Sequence, residues 1–328
     1  MSYDARVKGA LPLHDRPVPE TGRSEEVVQR RRPCWLVVRL LTALAAVLSA
    51  SGIVSAGATN SRPAAGVWWL RTFEPPEVVP EPYPYCCGAY WDTLLASQTS
   101  SGAIVADPKN RRNHVFAAHV GPNNGHDYAD WSLLTQTPAA SHGIEGGSAW
   151  VRMRLYFPRG FTPTGYTGGQ VNSEWNWLTM FHDRAAPSRC SGEDPSTISF
   201  GIINRRRRLN PRFRLRLLGG VQSARRCTPG SLRVDGPRVR RGHWYTVVEH
   251  VVFSPSASGL VQIWIDGRRM ANVHFPTVYK RPDSSVGNYY FCLGYYRLRA
   301  SWDATVLFDN VAEGPTRASI AGGAQAEP

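Results

Sequence analysis

Short runs in which apolar and polar residues alternate recur along the chain from residue 90 onward. Examples are HVFAAHV, SAWVRMRLYFP, STISFGII and RFRLRLLGG, and clusters of Gly, Pro and Asn separate them. Alternation with a period of two predicts β-strands, whereas the spacing that marks an amphipathic helix does not persist for three turns. Many short strands at this spacing favour an all-β jelly roll, in which two antiparallel sheets pack as a sandwich.

The stretch from His243 to Gly314 carries the clearest strand pattern. It consists of HWYTVVEHVVFS, then SGLVQIWIDGRRM, then NYYFCLGYYR continuing to TVLFDNVAEG. Asp266 and Gly267 favour a tight hairpin in the second piece, because both residue types tolerate a positive φ. We interpret residues 86–315 as one β jelly-roll domain that this stretch completes.

The chain before this domain has a different composition and pattern. Residues 1–33 are polar and basic, which predicts a disordered extension. Residues 34–58 hold the apolar run LLTALAAVLSASGI, preceded by arginines and followed by VSAGA. This layout is typical of a secretory signal peptide, and an uncleaved membrane anchor is the alternative. We predict membrane contact only through this segment, and only if it stays uncleaved. The sequence therefore predicts a secreted or extracytoplasmic protein. Proline-rich residues 59–85 predict a linker, and residues 316–328 a disordered tail.

One arginine-rich region makes the protein basic. The net charge is +13, and residues 205–241 contain thirteen arginines and a single acid, Asp235. Such a concentration of positive charge predicts a polyanionic partner. Export and the lack of a nucleic-acid-binding motif argue against nucleic acid.

Three of these arginines lie in a predicted strand. Arg212, Arg214 and Arg216 alternate with apolar residues, so they share the outer face while Phe213 and its alternating apolar partners face the core. A solvated face is the ordinary interpretation. The functional one is recognition of carboxylate or sulfate groups, because three neighbouring guanidinium groups repel one another.

Two aromatic strands carry further candidate residues. In EWNWLTMFH, strict alternation places Asn176 on the same face as His182 and Trp177 on the opposite face. In YYFCLGYYR, Tyr290 and Tyr296 share a face, and the glycine between them leaves a gap where a ligand ring could approach. Tyrosines beside a gap suit sugar binding, although ordinary β-core packing explains them equally well.

The cysteine positions are consistent with an exported protein that forms disulfides. Cys190 and Cys227 flank the arginine-rich region, and in an oxidising compartment we predict a disulfide between them. Zinc binding is the alternative, but no CxxC or HxxxH spacing supports it.

Four segments resemble a known family. They are WYTVVEHV at 244–251, GLVQIWIDG at 259–267, LGYYR at 293–297 and LFDNV at 307–311. Together they are similar to the carboxy-terminal half of the heparin lyase I-like polysaccharide lyases. That family has a concanavalin A-like β jelly roll and cleaves uronate-containing polysaccharides by β-elimination. The resemblance implies the same fold, and an anionic polysaccharide as partner.

The resemblance also implies site residues. β-Elimination needs a base for the C5 proton, an acid for the leaving oxygen, and groups that neutralise the uronate carboxylate. The family pattern places the proton transfers on His182 and Tyr296. The predicted substrate-binding residues are Arg212, Arg214, Arg216, Arg297, Asn176 and Tyr290. Cys292 departs from the pattern, because the family carries a lysine there, and Arg297 or the strand arginines are the candidate replacements.

Two other functions remain open. One is a lectin-like jelly roll that binds carbohydrate without cleaving it. The other is a glycoside hydrolase, which needs two carboxyl groups roughly 5–10 Å apart. Glu174 and Glu249 are available for that role, although no spacing links them. The sequence predicts no certain cofactor and leaves open a calcium ion near Asp309.

Overall fold

The chain divides into two compact units, Met1–Thr59 and Asn60–Pro328. The computed structural model describes only residues of the second, namely 67–79, 82–83, 94–97, 99–122, 129–135, 146–163, 176–183, 196–204, 210–221, 230–280, 289–298 and 300–321. The predicted N-terminal extension, the signal segment and the Cys190–Cys227 disulfide lie outside these residues. Within them, no helix has the length and apolarity needed to cross a membrane.

The described residues form strands and one short helix. In chain order these are β1 (Trp69–Arg71), β2 (Pro82–Tyr83), β3 (Leu94–Ala96), β4 (Ser101–Ala106), β5 (His114–Val120), β6 (Ala129–Thr135), β7 (Ser148–Tyr156), β8 (Asn176–Asp183), β9 (Ser196–Ile203), β10 (Arg212–Val221), β11 (Gly230–Arg238), β12 (Trp244–Val252), β13 (Leu260–Ile265), β14 (Arg268–His274), β15 (Tyr279–Lys280), β16 (Tyr289–Leu298), β17 (Ala304–Gly314) and α1 (Arg317–Ala321).

The strands form two sheets, as the alternation predicts. Sheet A has the order β14-β13-β12-β7-β17-β5-β4, and β1 pairs with β17. Sheet B has the order β11-β10-β9-β8-β16-β6-β3-β2, and β15 pairs with β10. Neighbours are antiparallel except in the short β2–β3 and β10–β15 pairs. The prediction of an all-β sandwich is confirmed.

The core lies between the sheets and contains the inward-facing side chains of both. In β10, Phe213, Leu215 and Leu217 are fully buried in it, so the predicted faces of that strand are confirmed. The hairpin between β13 and β14 also forms as predicted. Asp266 and Gly267 have φ values of 48° and 74°, which the tight turn requires.

Two predicted boundaries are wrong. Strand β1 pairs with β17, and Trp69 and Phe73 are buried in the core, so residues 67–79 belong to the domain rather than to a linker. The apolar residues at the start of this segment provide a buried face, which outweighs the prolines that follow. The predicted disordered tail likewise begins too early, because α1 buries Ile320.

Candidate active site

The outer face of sheet B brings most of the predicted site residues together. Buried side chains form a cluster there, which consists of Leu133, Trp177, Met180, Tyr290 and Cys292, and Tyr296 packs against it. Tyr296 is only partly buried, whereas the five cluster members are buried. Tyr296 is therefore the most accessible aromatic side chain of this group.

A bulge in β8 changes which side chains reach this face. The pairing of β8 with β9 shifts register between Trp177 and Thr179, so that Leu178 and Thr179 both point into the core. Trp177 consequently lies on the outer face. Asn176 lies inside, fully buried, and accepts a hydrogen bond of 2.8 Å from the Tyr295 hydroxyl. The predicted faces of Asn176 and Trp177 are wrong, because one extra residue reverses the alternation. The buried Asn176 is not placed to bind substrate.

Strand β16 follows the predicted alternation. Tyr290 and Cys292 lie on the outer face with Tyr296, and Tyr295 belongs to the core. Gly294 does not leave a gap for a ligand, because a Cβ there would lie 2.1 Å from the Ser132 carbonyl oxygen. The close approach of β6 therefore explains this glycine, whose φ is 154°.

His182 and Tyr296 share the outer face but lie at different ends of it. His182 pairs with Tyr290, and their rings stack at a centroid distance of 5.4 Å. Tyr296 pairs with Trp177 instead. The six residue steps from Tyr290 to Tyr296 span roughly 15–20 Å of strand. The backbone positions of the two predicted proton-transfer residues are therefore well separated along the face, and His182 is largely covered, with 8% exposure.

The three strand arginines have different surroundings. Arg212 is exposed and donates to the Gly236 carbonyl oxygen at 2.9 Å. Arg214 is buried and forms an ion pair with Asp235, with 2.6 Å between Nη2 and Oδ1. Arg216 is partly exposed, and its guanidinium lies over the Trp177 ring at 5.9 Å.

Small residues in β9 allow that contact. Arg216 and Trp177 come from β10 and β8, and β9 runs between these strands. On the shared face β9 offers Ser199, the register partner of Arg216, and Gly201, the partner of Trp177. A large side chain at either position would block the path of Arg216. Because Tyr296 is the partner of Trp177 on the other side, Arg216 and Tyr296 flank the same indole.

Arg233 is a basic residue of this face that the sequence did not single out. It is exposed and lies directly opposite Arg216 in β11. Like charges in directly opposed positions destabilise a sheet, and a bound anion relieves that repulsion. The acid next along β11, Asp235, is engaged by Arg214. The β10–β11 end of the face is therefore suited to bind carboxylate.

Arg297 is not a substrate-binding residue in this structure. Its side chain is fully buried and donates to the carbonyl oxygens of Val120, Gly121 and Trp302. Regular alternation explains this position, since the residue after outward-facing Tyr296 must point inward. The prediction that Arg297 replaces the family's lysine is wrong for the same reason. Cys292 itself is buried at 1% exposure and supplies no positive charge.

Glu249 lies between the sheets rather than on the outer face of sheet B. Its Oε1 accepts a hydrogen bond of 2.7 Å from the Thr179 hydroxyl, and its Oε2 has no hydrogen-bond partner among the described residues. Burial raises the pKa of Glu249 to about 7, although the Thr179 hydrogen bond opposes the shift. A hydrolase pair that includes Glu249 is thus excluded by position, and Glu174 lies outside the described residues.

Asp309 does not fit a calcium site. Its buried carboxylate accepts hydrogen bonds from Arg154, Asn113 and Asn310 at 3.1–3.2 Å. Burial raises its pKa to about 6 despite these donors. Calcium requires six to eight oxygen ligands, whereas Oδ2 of this carboxylate faces three N–H donors and Oδ1 has no partner among the described residues. No cluster of three or more His, Cys, Asp or Glu side chains suited to a metal occurs in the described ranges.

Comparisons with known proteins agree with the fold. The chain is similar to an endo-β-1,4-glucuronan lyase from the fungus Trichoderma reesei, with a TM-score of 0.55 and 16% identity over 71% of this chain and 94% of that one. It is also similar to an alginate lyase from Chlorella virus, with a TM-score of 0.43 and 12% identity over 66% and 90% of the two chains. No curated protein matches the chain.

The decisive match is to a family model. Residues 94–312 match the model described as polysaccharide lyase, and they include β3 to β16, most of β17 and the residues of the candidate site on sheet B. This range is more than half of the chain. The protein with Tyr296 and Arg216 beside one indole therefore belongs to the polysaccharide lyase family.

Proposed function

We propose that this protein cleaves a uronate-containing polysaccharide by β-elimination on the outer face of sheet B. One observation carries the proposal: Tyr296 and Arg216 flank Trp177, and both remain partly exposed. A proton-transfer group and a cation beside an aromatic ring are the groups that the reaction needs. The narrower kinship with heparin lyase I-like enzymes rests on the sequence motifs and is part of the proposal.

The reaction assigns a role to each group. Arg216 donates to the uronate carboxylate, with Arg233 beside it, and thereby stabilises the negative charge that develops when C5 loses its proton. The electrons of the C5–H bond form a C4–C5 double bond, and the C4–O4 bond breaks. Tyr296 carries the proton between these atoms: its phenolate takes the proton from C5, and the resulting phenol gives that proton to the leaving oxygen O4.

His182 and Tyr290 do not take part in these transfers in our proposal. They are both nearly buried and stack on each other away from Tyr296. A tight aromatic pair on neighbouring strands stabilises the sheet, which is the role that we assign to them.

The proposal is tested by incubating the protein with polyglucuronate, alginate and heparan and identifying the products. β-Elimination gives a new ultraviolet-absorbing unsaturated uronate at each new non-reducing end. We expect this product from at least one of these polymers, at a rate that depends on Arg216. New reducing ends without the ultraviolet signal would instead indicate hydrolysis and contradict the proposal.

A lectin-like function is the second candidate, and Cys292 favours it. The family's lysine is absent, and the buried thiol cannot replace its charge. Binding to every uronate polymer without any product would support this alternative.

We also infer that the protein is exported. The basic residues, apolar run and small residues within 30–58 support this inference. Sequencing the amino terminus of the protein recovered from culture medium tests it. An intact, cell-retained Met1 would contradict cleavage and export.

A further inference from the structure

The outer face of sheet A, on the opposite side of the sandwich, carries a group of stacked rings. Trp150 of β7 and His250 of β12 stack at a centroid distance of 4.0 Å, and Trp150 and Trp264 of β13 stack at 5.7 Å. All three side chains are partly exposed. The proposed reaction on sheet B uses none of them.

Arginines surround these rings. The strand register gives a row across the sheet, in which Arg269 of β14 pairs with Trp264, Trp264 with Val248, and Val248 with Arg152 of β7. Arg317, at the start of α1, adds a guanidinium 5.2 Å above the Trp264 ring. Three positive charges thus lie on or beside one row of side chains that crosses four strands.

Arg152 is the member of this row that points most directly to a ligand. Its Nη1 is buried and has no hydrogen-bond partner among the described residues. Burial and the nearby Arg154 lower the pKa of Arg152. A buried, unpaired N–H of a cation is costly, and in proteins it usually marks the place of a bound anion or water.

The described acids near this row have partners already. Asp309 accepts from Arg154 with 3.1 Å between Nη1 and Oδ2, and Asp266 lies 3.3 Å from His243 at the hairpin. Asp309 also attracts Arg152 and offsets part of its charge. The row still carries three arginines, and indole edges beside it offer apolar contact. This combination suits an anionic sugar polymer, because guanidinium groups bind carboxylates in a bidentate way.

We propose that Arg152, Arg269 and Arg317, with Trp150 and Trp264, form a second binding surface for carboxylate groups of an anionic polysaccharide. The identity of the ligand rests on the proposed function. The surface lies on the face opposite the candidate active site, so it holds the polymer without taking part in cleavage. Two linked contacts on one chain raise the effective concentration of polymer at the enzyme.

The test measures retention on immobilised polyglucuronate at low and moderate salt. The variant carries Arg152→Gln and Arg269→Gln, and the matched control carries Arg111→Gln and Arg112→Gln, which remove the same charge from an exposed turn. We expect the first variant to lose at least about tenfold in affinity and the control to lose much less. Equal retention of the two variants would overturn the proposal. Retention on a sulfated polymer but not on polyglucuronate would overturn the assignment to carboxylate.

A second variant guards against misfolding. Arg317→Gln changes a side chain at the end of the domain, and its thermal unfolding is compared with that of the wild type before retention is measured. We expect weaker retention with unchanged unfolding. Arg317→Gln is also combined with Arg269→Gln. If this double variant is folded and is retained as strongly as the wild type, the proposal is overturned.

Short substrates separate this inference from the proposed function. We expect the Arg152→Gln, Arg269→Gln protein to cleave uronate tetrasaccharides normally, but to show a raised KM for long polymer. If no uronate is cleaved by any protein while retention still depends on Arg152, the second surface stands and the proposed function fails. If cleavage proceeds and the Arg152→Gln, Arg269→Gln protein is retained as strongly as the wild type, the second surface fails and the proposed function stands.

Discussion

Tyr296 and Trp177 lie directly opposite each other on neighbouring strands of sheet B. Two register shifts adjoin this pair: one between Leu293 and Tyr296 in the β8–β16 pairing, and one between Trp177 and Thr179 in the β8–β9 pairing. Bulges of this kind re-aim side chains and occur often beside active sites. Here they bring Trp177 to the outer face, where Arg216 reaches it from β10.

Arg216 should contribute to catalysis through its charge. Arg216→Gln is expected to lower kcat/KM on the uronate substrate by roughly 100-fold, because the carboxylate loses its cation. Arg216→Lys should recover part of the loss, since lysine keeps the charge but not the bidentate geometry. Steady-state kinetics with Arg212→Gln as the control measure this effect. Equal rates for Arg216→Gln and Arg212→Gln would contradict the role of Arg216.

Glu249 should make stability depend on pH. Its pKa in the folded protein is about 7, above its ordinary value of 4.5, so the folded state holds this proton more tightly than the unfolded state. The stabilisation is complete below about pH 4.5 and is lost as the pH rises through 7, by on the order of 3 kcal/mol.

The matched variant for this prediction is Glu249→Gln, which stays neutral at every pH. Urea unfolding at pH 5 and pH 8 should show a larger fall in the free energy of unfolding for the wild type. Asp309, whose pKa burial also raises, contributes the same slope to both proteins. Parallel pH profiles for the two proteins would show that Glu249 is not the buried acid responsible.

Arg297 should matter for stability. Its guanidinium satisfies three backbone carbonyl groups in the interior, so Arg297→Met leaves buried acceptors without donors and is expected to cost about 3 kcal/mol or more. Arg238→Met, at an exposed position, should change the free energy of unfolding by less than about 0.5 kcal/mol. Denaturant unfolding of the two variants measures this difference in the free energy of unfolding. A stable Arg297→Met protein with a raised KM would instead restore Arg297 as a substrate contact.

Gly294 should be intolerant of a side chain. A Cβ there would meet the Ser132 carbonyl oxygen at 2.1 Å, so Gly294→Ala must displace backbone next to Tyr296. We expect lower stability and a lower kcat. Gly267→Ala is the control, since its φ is 74° but nothing lies within 4 Å of the added atom. It should cost about 1 kcal/mol through backbone strain and leave kcat unchanged. Similar effects of both substitutions on kcat would show that the bulge does not position Tyr296.

The sequence predicts the regular strands well and the irregular ones poorly. In β10 the alternation of arginines with Phe213 and its apolar partners gives the correct faces, because the register shift next to Arg212 does not reverse the alternation from Phe213 onward. In β8 the same rule misplaces Asn176 and Trp177, because the bulge between Trp177 and Thr179 has no glycine or proline to signal it.

Two other residues were predictable from alternation alone. Arg297 follows an outward-facing tyrosine. Glu249 lies two residues from Val247 and from Val251 and so shares their face, which points to the core. Their charges suggested exposed positions, whereas the period of the strand places them inside. The contact of Arg216 with Trp177 could not be predicted, because it depends on the register of three neighbouring strands, on the bulge in β8 and on small residues in the strand between.

The measurement that tests the central claim most directly is the rate at which Tyr296→Phe forms unsaturated uronate product. Tyr290→Phe is the matched control, because Tyr290 lies on the same strand and face but is nearly buried. We predict that Tyr296→Phe lowers kcat by at least about 100-fold, while Tyr290→Phe stays within a few-fold of the wild type. A Tyr296→Phe protein with wild-type kcat would contradict the account.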